Sequence, residues 1–370
     1  MDDLGLIDEL VLEEQFNIDQ GNKEKLLLNI ILLQLEHNLS NLNIRAMYNK
    51  LGININNIKT LEQVPYIPVN MFKYFDLRIC DMDQVVRVLN SSATTTGIPS
   101  KIYLDKKTSI RQTQGLISTL TSFLGTKRRT MLIVDSEDSN RSGDSITARG
   151  AAIRGISTFA SKIFYVMDNE NNQLKLNIDR LREFEEKYKN EEILVYGFTY
   201  ILWSKFLKVL NQDGIRLDMP KLKLLHSGGW KKLNSEKVEK KVFAEAVAQV
   251  FNTSTTNVID FYGMVEQAGV VFIDCECGHK HVPNFAEIII RDVQTLEEVK
   301  LGESGLIEVM SILGSSYPSQ AILTEDIGEY IGIDDCPCGR KGKYFRFKSR
   351  VEKAEVRGCG DTFAEREVGK

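Results

Sequence analysis

The sequence predicts an α/β protein in which βαβ-type sheets flanked by helices are joined to a β-rich subdomain. Three observations support this fold class. The 370 residues are 42% hydrophobic and can bury a sizeable core. In the middle of the chain, short apolar runs alternate with longer stretches of helical periodicity, which is typical of βαβ units. After Gly269, β-forming segments alternate with Gly, Asp and Pro, which favours antiparallel strands.

The individual elements follow from local periodicity. Apolar residues recur at helical spacing between residues 10 and 51 and predict two or more helices. The strand-like runs of the middle region are residues 131–134, 163–166, 193–196 and 222–225. Helix-like stretches that separate several of them include residues 174–188 and 236–251. We expect antiparallel strands over residues 286–291, 305–313 and 327–333.

These elements divide the chain into four predicted parts. Residues 1–85 form a helical N-terminal part of the large domain, and residues 86–268 form its α/β core with the ligand site. Residues 269–349 form the β-rich subdomain, and residues 350–370 form a hinge and a short tail.

Charge and cysteine content exclude several classes of protein. The formal net charge is −4, so nucleic acid is not expected as a partner. No apolar stretch reaches the roughly 18 residues that a membrane span requires. We therefore expect a cytoplasmic protein without a transmembrane segment. The six cysteines are too few for a disulfide scaffold in a chain of this length.

A loop rich in hydroxyl groups follows the apolar residues 85–89 and has the composition of a phosphate site. Hydroxyl and backbone N–H groups bind phosphate oxygens, a glycine allows close approach, and a lysine supplies positive charge. The candidate residues are Ser91, Ser92, Thr94, Thr95, Thr96, Gly97 and Lys101. Because the spacing matches neither the Walker nor the dinucleotide-binding motif, an ordinary solvated turn remains the alternative.

Two later segments place glycines after predicted strands, where α/β sheets bind ligands. Gly228 and Gly229 follow residues 222–225, and their bare backbone suits contact with a flat ring. Tyr262 and Gly263 end another predicted strand. An ordinary strand-to-helix turn is the alternative at the double glycine.

Two carboxylates are candidates for binding metal and ribose. Glu266 could bind Mg²⁺ together with substrate phosphates, although a solvated glutamate at a helix start gives the same pattern. Asp326 lies in a predicted turn and could accept hydrogen bonds from two ribose hydroxyls, but a turn aspartate needs no function.

In this order, the segments resemble motifs of the adenylate-forming superfamily of acyl-CoA synthetases, phenylacetate-CoA ligases and acyl-protein synthetases. Residues 91–101 resemble its phosphate loop, 262–266 its Y-G-x-T-E element, 324–326 its T-G-D element and 349–353 its G-R-x-D/K hinge. The chain departs from these patterns at Ala93, Ser100, Val265 and Glu325. The resemblance implies ATP and Mg²⁺ as cofactors, with Asp326 and Arg350 on the ribose side.

The C-terminal end resembles one branch of this superfamily. Only residues 353–370 follow Glu352, so we expect the small C-terminal domain with its catalytic lysine to be almost entirely missing. Residues 64–73 and 100–109 resemble the acyl-protein synthetases of the bacterial luminescence fatty-acid reductase system. Those chains transfer the acyl group to a cysteine near the C terminus, and Cys359 occupies the matching position. Flanking glycines leave its sulfur accessible, although an unpaired surface cysteine is the alternative.

The resemblance implies a ligase that forms an acyl thioester. It would activate a fatty acid as the acyl adenylate and pass it through Cys359 to an acyl-accepting reductase or carrier protein. Residues 196–203 and 269–272 are candidates for an acyl pocket, but such apolar residues also form ordinary cores. A phenylacetate-CoA-ligase-like enzyme that passes another acid to coenzyme A, and an inactive scaffold, remain alternatives.

Two C-x-C pairs lie in the predicted β-rich subdomain. Thiolates of Cys275, Cys277, Cys336 and Cys338 could bind a structural zinc ion, with His279 or His281 as a substitute ligand. Because C-x-x-C is the commoner spacing, four reduced thiols without metal remain the alternative. A metal here would stabilise the β-rich subdomain and take no part in acyl transfer.

Overall fold

The computed structural model describes residues 3–91, 99–140, 146–171, 173–230 and 237–351, and it confirms the mixed α/β class. The helices are α1 (Asp3–Leu12), α2 (Gln20–Asn38), α3 (Leu42–Leu51), α4 (Met71–Tyr74), α5 (Lys106–Leu124), α6 (Ala148–Ile156), α7 (Ile178–Tyr188), α8 (Thr199–Ile201), α9 (Lys208–Gln212) and α10 (Lys240–Phe251). A π-helical segment, Leu202–Leu207, joins α8 to α9.

The strands alternate with these helices in the middle of the chain and dominate its last part. They are β1 (Ile67–Pro68), β2 (Val85–Asn90), β3 (Lys101–Asp105), β4 (Arg129–Ile133), β5 (Ile146–Thr147), β6 (Ala160–Tyr165), β7 (Met167–Glu170), β8 (Gln173–Leu176), β9 (Ile193–Phe198), β10 (Leu222–Ser227), β11 (Val258–Gly263), β12 (Val271–Ile273), β13 (Lys280–His281), β14 (Ala286–Arg291), β15 (Ser304–Ser311), β16 (Ala321–Ile333) and β17 (Lys343–Arg350).

The chain forms two compact units. The first comprises residues 1–123 and 264–370, and the second comprises residues 124–263. The N-terminal helices thus belong to the same unit as the β-rich segment. The domain boundaries that the sequence predicts after residues 85, 268 and 349 remain predictions.

Parallel strands form the centre of the second unit, in the order β11-β10-β9-β4-β6. The short apolar runs predicted as strands all lie in this sheet. Helices α7 and α10 contribute Leu181, Phe184, Phe243 and Val247 to an apolar core that covers the sheet. Burial of these side chains is the main favourable contribution to the stability of such a layer.

The predicted helix over residues 174–188 is wrong in its first turn. Gln173–Leu176 forms β8, which pairs with β7 in an antiparallel hairpin. The helix begins at Ile178 because the Asn177 side chain accepts a hydrogen bond from the Arg180 N–H and caps the first turn. Similarly, the helix predicted to start at residue 236 starts at Lys240.

The first unit contains the antiparallel sheet predicted for the last part of the chain, in the order β13-β17-β16-β15-β14. The short strand β1 joins β16 in parallel. Helix α2 lies against this region, because Gln20 donates to Glu287 at 2.6 Å and Asn38 donates to Gln320 at 2.6 Å. A separate hairpin of β2 and β3 pairs Asn90 with Lys101.

The helices of the described ranges are all too short or too polar to cross a bilayer.

Candidate active site

The hairpin of β2 and β3 closes the base of the predicted phosphate loop. The Ser91 N–H donates to the Ser100 carbonyl at 3.1 Å, and the Ser100 N–H donates to Ser91 Oγ at 2.9 Å. Lys101 begins β3 and is exposed. The loop residues Ser92, Thr94, Thr95, Thr96 and Gly97 lie outside the described residues. The structure therefore places the two ends of the loop, with a lysine at one of them.

Glu266 lies close to this loop base, although 166 residues separate it from Ser100. It belongs to a single 3₁₀ turn, Val265–Gln267, and only 5% of its surface is exposed. Burial raises the pKa of Glu266, while the nearby Ser100 hydroxyl and the charges of Lys73 and Arg350 act in the opposite direction. A buried carboxyl group near two cationic side chains is thus part of the predicted site.

Neighbouring side chains hold the backbone around Glu266. The Tyr317 hydroxyl donates to the Glu266 carbonyl at 2.9 Å and accepts a bond from Gln112 at 3.0 Å. Gln267 donates to the Ser319 carbonyl at 2.5 Å. Sequence reasoning did not find Tyr317 or Gln112, because each lies in a segment without a motif and reaches Glu266 only through the fold.

Asp326 and Arg350 face each other on β16 and β17. They are register partners, and Arg350 Nε lies 3.0 Å from Asp326 Oδ1. The prediction of a turn at Asp326 is wrong, since the residue lies inside β16, which pairs with β15 before and after this position and with β17 from Asp326 onwards. The Asp326 side chain is 7% exposed and that of Arg350 is 63% exposed. Arg350 ends β17, and Cys359 lies outside the described residues.

The other candidates lie at the carboxyl ends of strands in the second unit. Gly228 and Gly229 follow β10 and are exposed, and Tyr262 and Gly263 are the last residues of β11. Gly228 has a φ of +85°, and a Cβ there would lie 2.9 Å from a Phe198 ring carbon. A side chain at residue 228 would therefore be strained and crowded, which explains the glycine.

Several of the residues suggested for an acyl pocket pack in the cores, whereas three aromatic side chains between residues 198 and 203 are half-buried. Tyr196, Ile201 and Leu202 are at most 1% exposed within the second unit. Val270 and Phe272 are equally buried within the first unit. Ordinary core packing, the alternative left open by the sequence, accounts for the fully buried members of the set.

The C-x-C pairs come together within the first unit. Ligand atoms of Cys275, His281, Cys336 and Cys338 all lie within 4.8 Å of one another. Cys277 is exposed and lies outside this set. His281, one of the two substitute ligands considered from the sequence, takes the fourth place.

Solved structures identify the fold as that of adenylate-forming ligases. A 2-hydroxyisobutyryl-CoA ligase in an open conformation, in complex with 2-HIB-AMP and CoA, has a TM-score of 0.66 at 15% identity, over 90% of this chain and 76% of that chain. The same ligase in its thioesterification state has a TM-score of 0.67 at 14% identity, over 90% and 69% of the two chains. The fold of this chain is thus that of the large domain of adenylate-forming ligases.

Within this class, the family model described as "Acyl-protein synthetase, LuxE" matches residues 3–367, and the chain belongs to that family. A long-chain-fatty-acid–luciferin-component ligase of Aliivibrio fischeri is 24% identical over 317 residues, 83% of this chain and 80% of the relative. Its counterpart in Vibrio harveyi is 22% identical over 307 residues, 82% and 78% of the two chains. The predicted family, and the predicted class of ligase that passes an activated acyl group to a protein, are confirmed.

Proposed function

We propose that this protein uses ATP to activate a long-chain fatty acid, transfers the acyl group to Cys359, and passes it on to a partner reductase or carrier protein. The observation that carries the proposal is the grouping of Glu266, Ser100, Arg350 and Asp326 within one unit of an acyl-protein synthetase chain. The names of the two bacterial relatives support a long-chain acid as substrate.

In the first step, a carboxylate oxygen of the fatty acid attacks the α-phosphorus of ATP. The bond from that phosphorus to the pyrophosphate oxygen breaks, so the products are acyl adenylate and pyrophosphate. The hydroxyl loop from Ser91 to Gly97, with Lys101, would bind phosphate oxygens and stabilise the charge on the leaving group. The loop includes the candidate phosphate-binding residues Ser92, Thr94, Thr95 and Thr96.

The nucleoside would contact other candidates. The Asp326 carboxylate is an acceptor for ribose hydroxyls, and the Arg350 guanidinium holds that carboxylate in place. Within the second unit, Gly228 and Gly229 offer bare, exposed backbone for the adenine ring, and Tyr262 and Gly263 are the other nucleotide-binding candidates of that unit.

Glu266 fits the role of a magnesium ligand. Burial raises its pKa, so a divalent cation next to the carboxyl group would favour the ionised form. A bound Mg²⁺ would neutralise phosphate charge. Tyr317 would keep the Glu266 backbone in place.

In the second step, the Cys359 thiolate attacks the carbonyl carbon of the acyl adenylate. The bond between that carbon and the phosphate oxygen breaks, AMP leaves, and the thiol proton passes to solvent. In the sequence, glycines flank Cys359 and would leave its sulfur accessible, and the charge of Arg357 would favour the thiolate.

Intact-mass measurement tests the proposal. The purified protein is incubated with MgATP and carboxylic acids from acetate to hexadecanoate, before and after hydroxylamine, which cleaves thioesters. We expect a labile acyl adduct with long-chain acids that is absent in Cys359→Ser and retained in Cys80→Ser. Acid-dependent pyrophosphate release without an adduct would move the acyl acceptor to an external thiol such as coenzyme A. Absence of both activities would favour an inactive scaffold.

A further inference from the structure

Two turns of the first unit share one backbone conformation. Each has the sequence C-x-C-G, with the glycine at a positive φ of +76° at Gly278 and +83° at Gly339. The Gly278 N–H donates to the Cys275 carbonyl at 2.8 Å, and the Gly339 N–H donates to the Cys336 carbonyl at 2.9 Å. A glycine is required in this conformation because a Cβ is disfavoured there. The same tight turn therefore occurs twice, and the first cysteines of the two turns, Cys275 and Cys336, are 61 residues apart in the sequence.

The distances between the side chains suit a tetrahedral metal. Cys275 Sγ lies 3.8 Å from Cys336 Sγ, Cys336 Sγ lies 3.4 Å from Cys338 Sγ, and Cys338 Sγ lies 3.3 Å from His281 Nε2. A Zn–S distance of about 2.3 Å places the sulfurs of a tetrahedral site about 3.8 Å apart. A disulfide needs sulfurs about 2.0 Å apart, so these thiols are spaced for a shared ion and are not bonded to each other.

The surroundings provide a closed site. Cys275, Cys336 and His281 are at most 6% exposed, and Cys338 is half-buried. The rings of His279 and His281 stack on Tyr344 at centroid distances of 5.0 and 5.4 Å. This packing orients the His281 imidazole with its Nε2 towards the sulfurs.

We propose that Cys275, His281, Cys336 and Cys338 bind one structural Zn²⁺ ion. Soft thiolates with one imidazole select zinc over magnesium or calcium. Four protein ligands fill the tetrahedron and leave no position for substrate, so the ion has no part in acyl transfer. The three thiolates and Zn²⁺ carry one net negative charge, and the Arg340 guanidinium beside Cys338 offsets it. The site joins the turn that precedes β13 to the turn that precedes β17, the two paired strands at this edge of the sheet.

Metal analysis of the full-length protein tests this site. The protein is purified under reducing conditions, supplied with Zn²⁺, and passed through a desalting column. We expect about one zinc per chain in the parent and in Cys277→Ser and Cys80→Ser, two matched thiol substitutions outside the set. Cys336→Ser and His281→Ala should lose the ion and melt at a lower temperature than the two control variants.

A further variant separates metal binding from general misfolding. His281→Cys should keep about one zinc per chain, because a fourth thiolate replaces the imidazole. With Co²⁺ in place of Zn²⁺, the parent should show thiolate charge-transfer bands and the intense visible absorption of a tetrahedral site. The proposal is overturned if the reduced parent binds no zinc, or if Cys336→Ser and His281→Ala bind as much zinc as Cys277→Ser.

Discussion

The two units differ in how many charged side chains they bury around their sheets. In the first unit, several charged residues of α2 and of the antiparallel sheet are at most 6% exposed, among them Lys23, Glu287, Arg291, Glu308 and Lys343. In the second unit, the core on the parallel sheet is apolar, with Leu132, Val195 and Leu224 at most 1% exposed. An apolar core tolerates hydrophobic exchange, whereas each buried charge requires a particular partner. The buried carboxyl groups of the predicted active site, Glu266 and Asp326, lie in the charged unit.

The largest effect is expected from breaking a buried ion pair. Lys23 Nζ lies 3.1 Å from Glu287 Oε2, and both side chains are at most 1% exposed. Lys23→Met removes the ammonium group in contact with the buried Glu287 carboxylate and should lower the free energy of unfolding by about 3 kcal/mol, since the charge of Lys343 and the hydrogen bond from Gln20 remain. Urea unfolding followed by circular dichroism measures this change. Lys127→Met, which removes the exposed Lys127–Glu192 pair of the second unit, should cause no measurable change. Equal losses in the two variants would contradict the contrast.

Substitution of Glu266 should lower the catalytic rate, whereas substitution of a surface glutamate should not. If it binds magnesium, Glu266→Gln should lower fatty-acid-dependent pyrophosphate release by about 10²–10³-fold, the range seen when one group that stabilises transition-state charge is removed. Glu192→Gln, an exposed glutamate of the second unit, should retain full activity. Unchanged pyrophosphate release in Glu266→Gln would remove this residue from the mechanism.

The pH dependence of stability should report on the buried charges. Burial raises the pKa of Glu308 from 4.5 to about 7, although Arg291 next to it acts in the opposite direction. Between these values the folded state holds a proton that the unfolded state has released. Stability should therefore fall as pH rises from about 4.5 to about 7, by at most about 1.4 kcal/mol per pH unit. Glu308→Gln should remove this contribution from urea midpoints measured across the window. If the stability of Glu308→Gln changes with pH as steeply as that of the parent protein, Glu308 is already ionised in the folded state.

The smallest effect is expected for buried apolar side chains, for which the two units should respond alike. Ile193 of β9 and Ile288 of β14 are each 1% exposed, one in the apolar unit and one in the charged unit. Ile→Val removes one buried methylene group at either site and should cost about 1 kcal/mol. Chemical denaturation of both variants measures the difference. A much larger cost at Ile288 would indicate that the charged network transmits small packing changes.

Local patterns were sufficient for most of the fold. The apolar run at residues 193–196 predicts β9, because a strand that is buried on both faces reads as continuous hydrophobic sequence. Boundaries were less predictable where a single cap decides them, as at Asn177, or where a strand contains polar residues, as at Asp326. The order of motifs was sufficient to predict the family, and the cysteine spacing pointed to a cluster without selecting between His281 and Cys277.

The sequence by itself determined the fold class, the family and the residue types available for chemistry, since periodicity and motif order are local properties of the chain. The tertiary structure decided which of these residues meet. It brought Glu266 to Ser100, and it joined two turns into a Cys₃His cluster that excludes Cys277. It also covered β14 on both faces, so that Glu287 is buried beside Lys23. Such contacts depend on packing between distant segments, where the burial of one group depends on the position of all its neighbours.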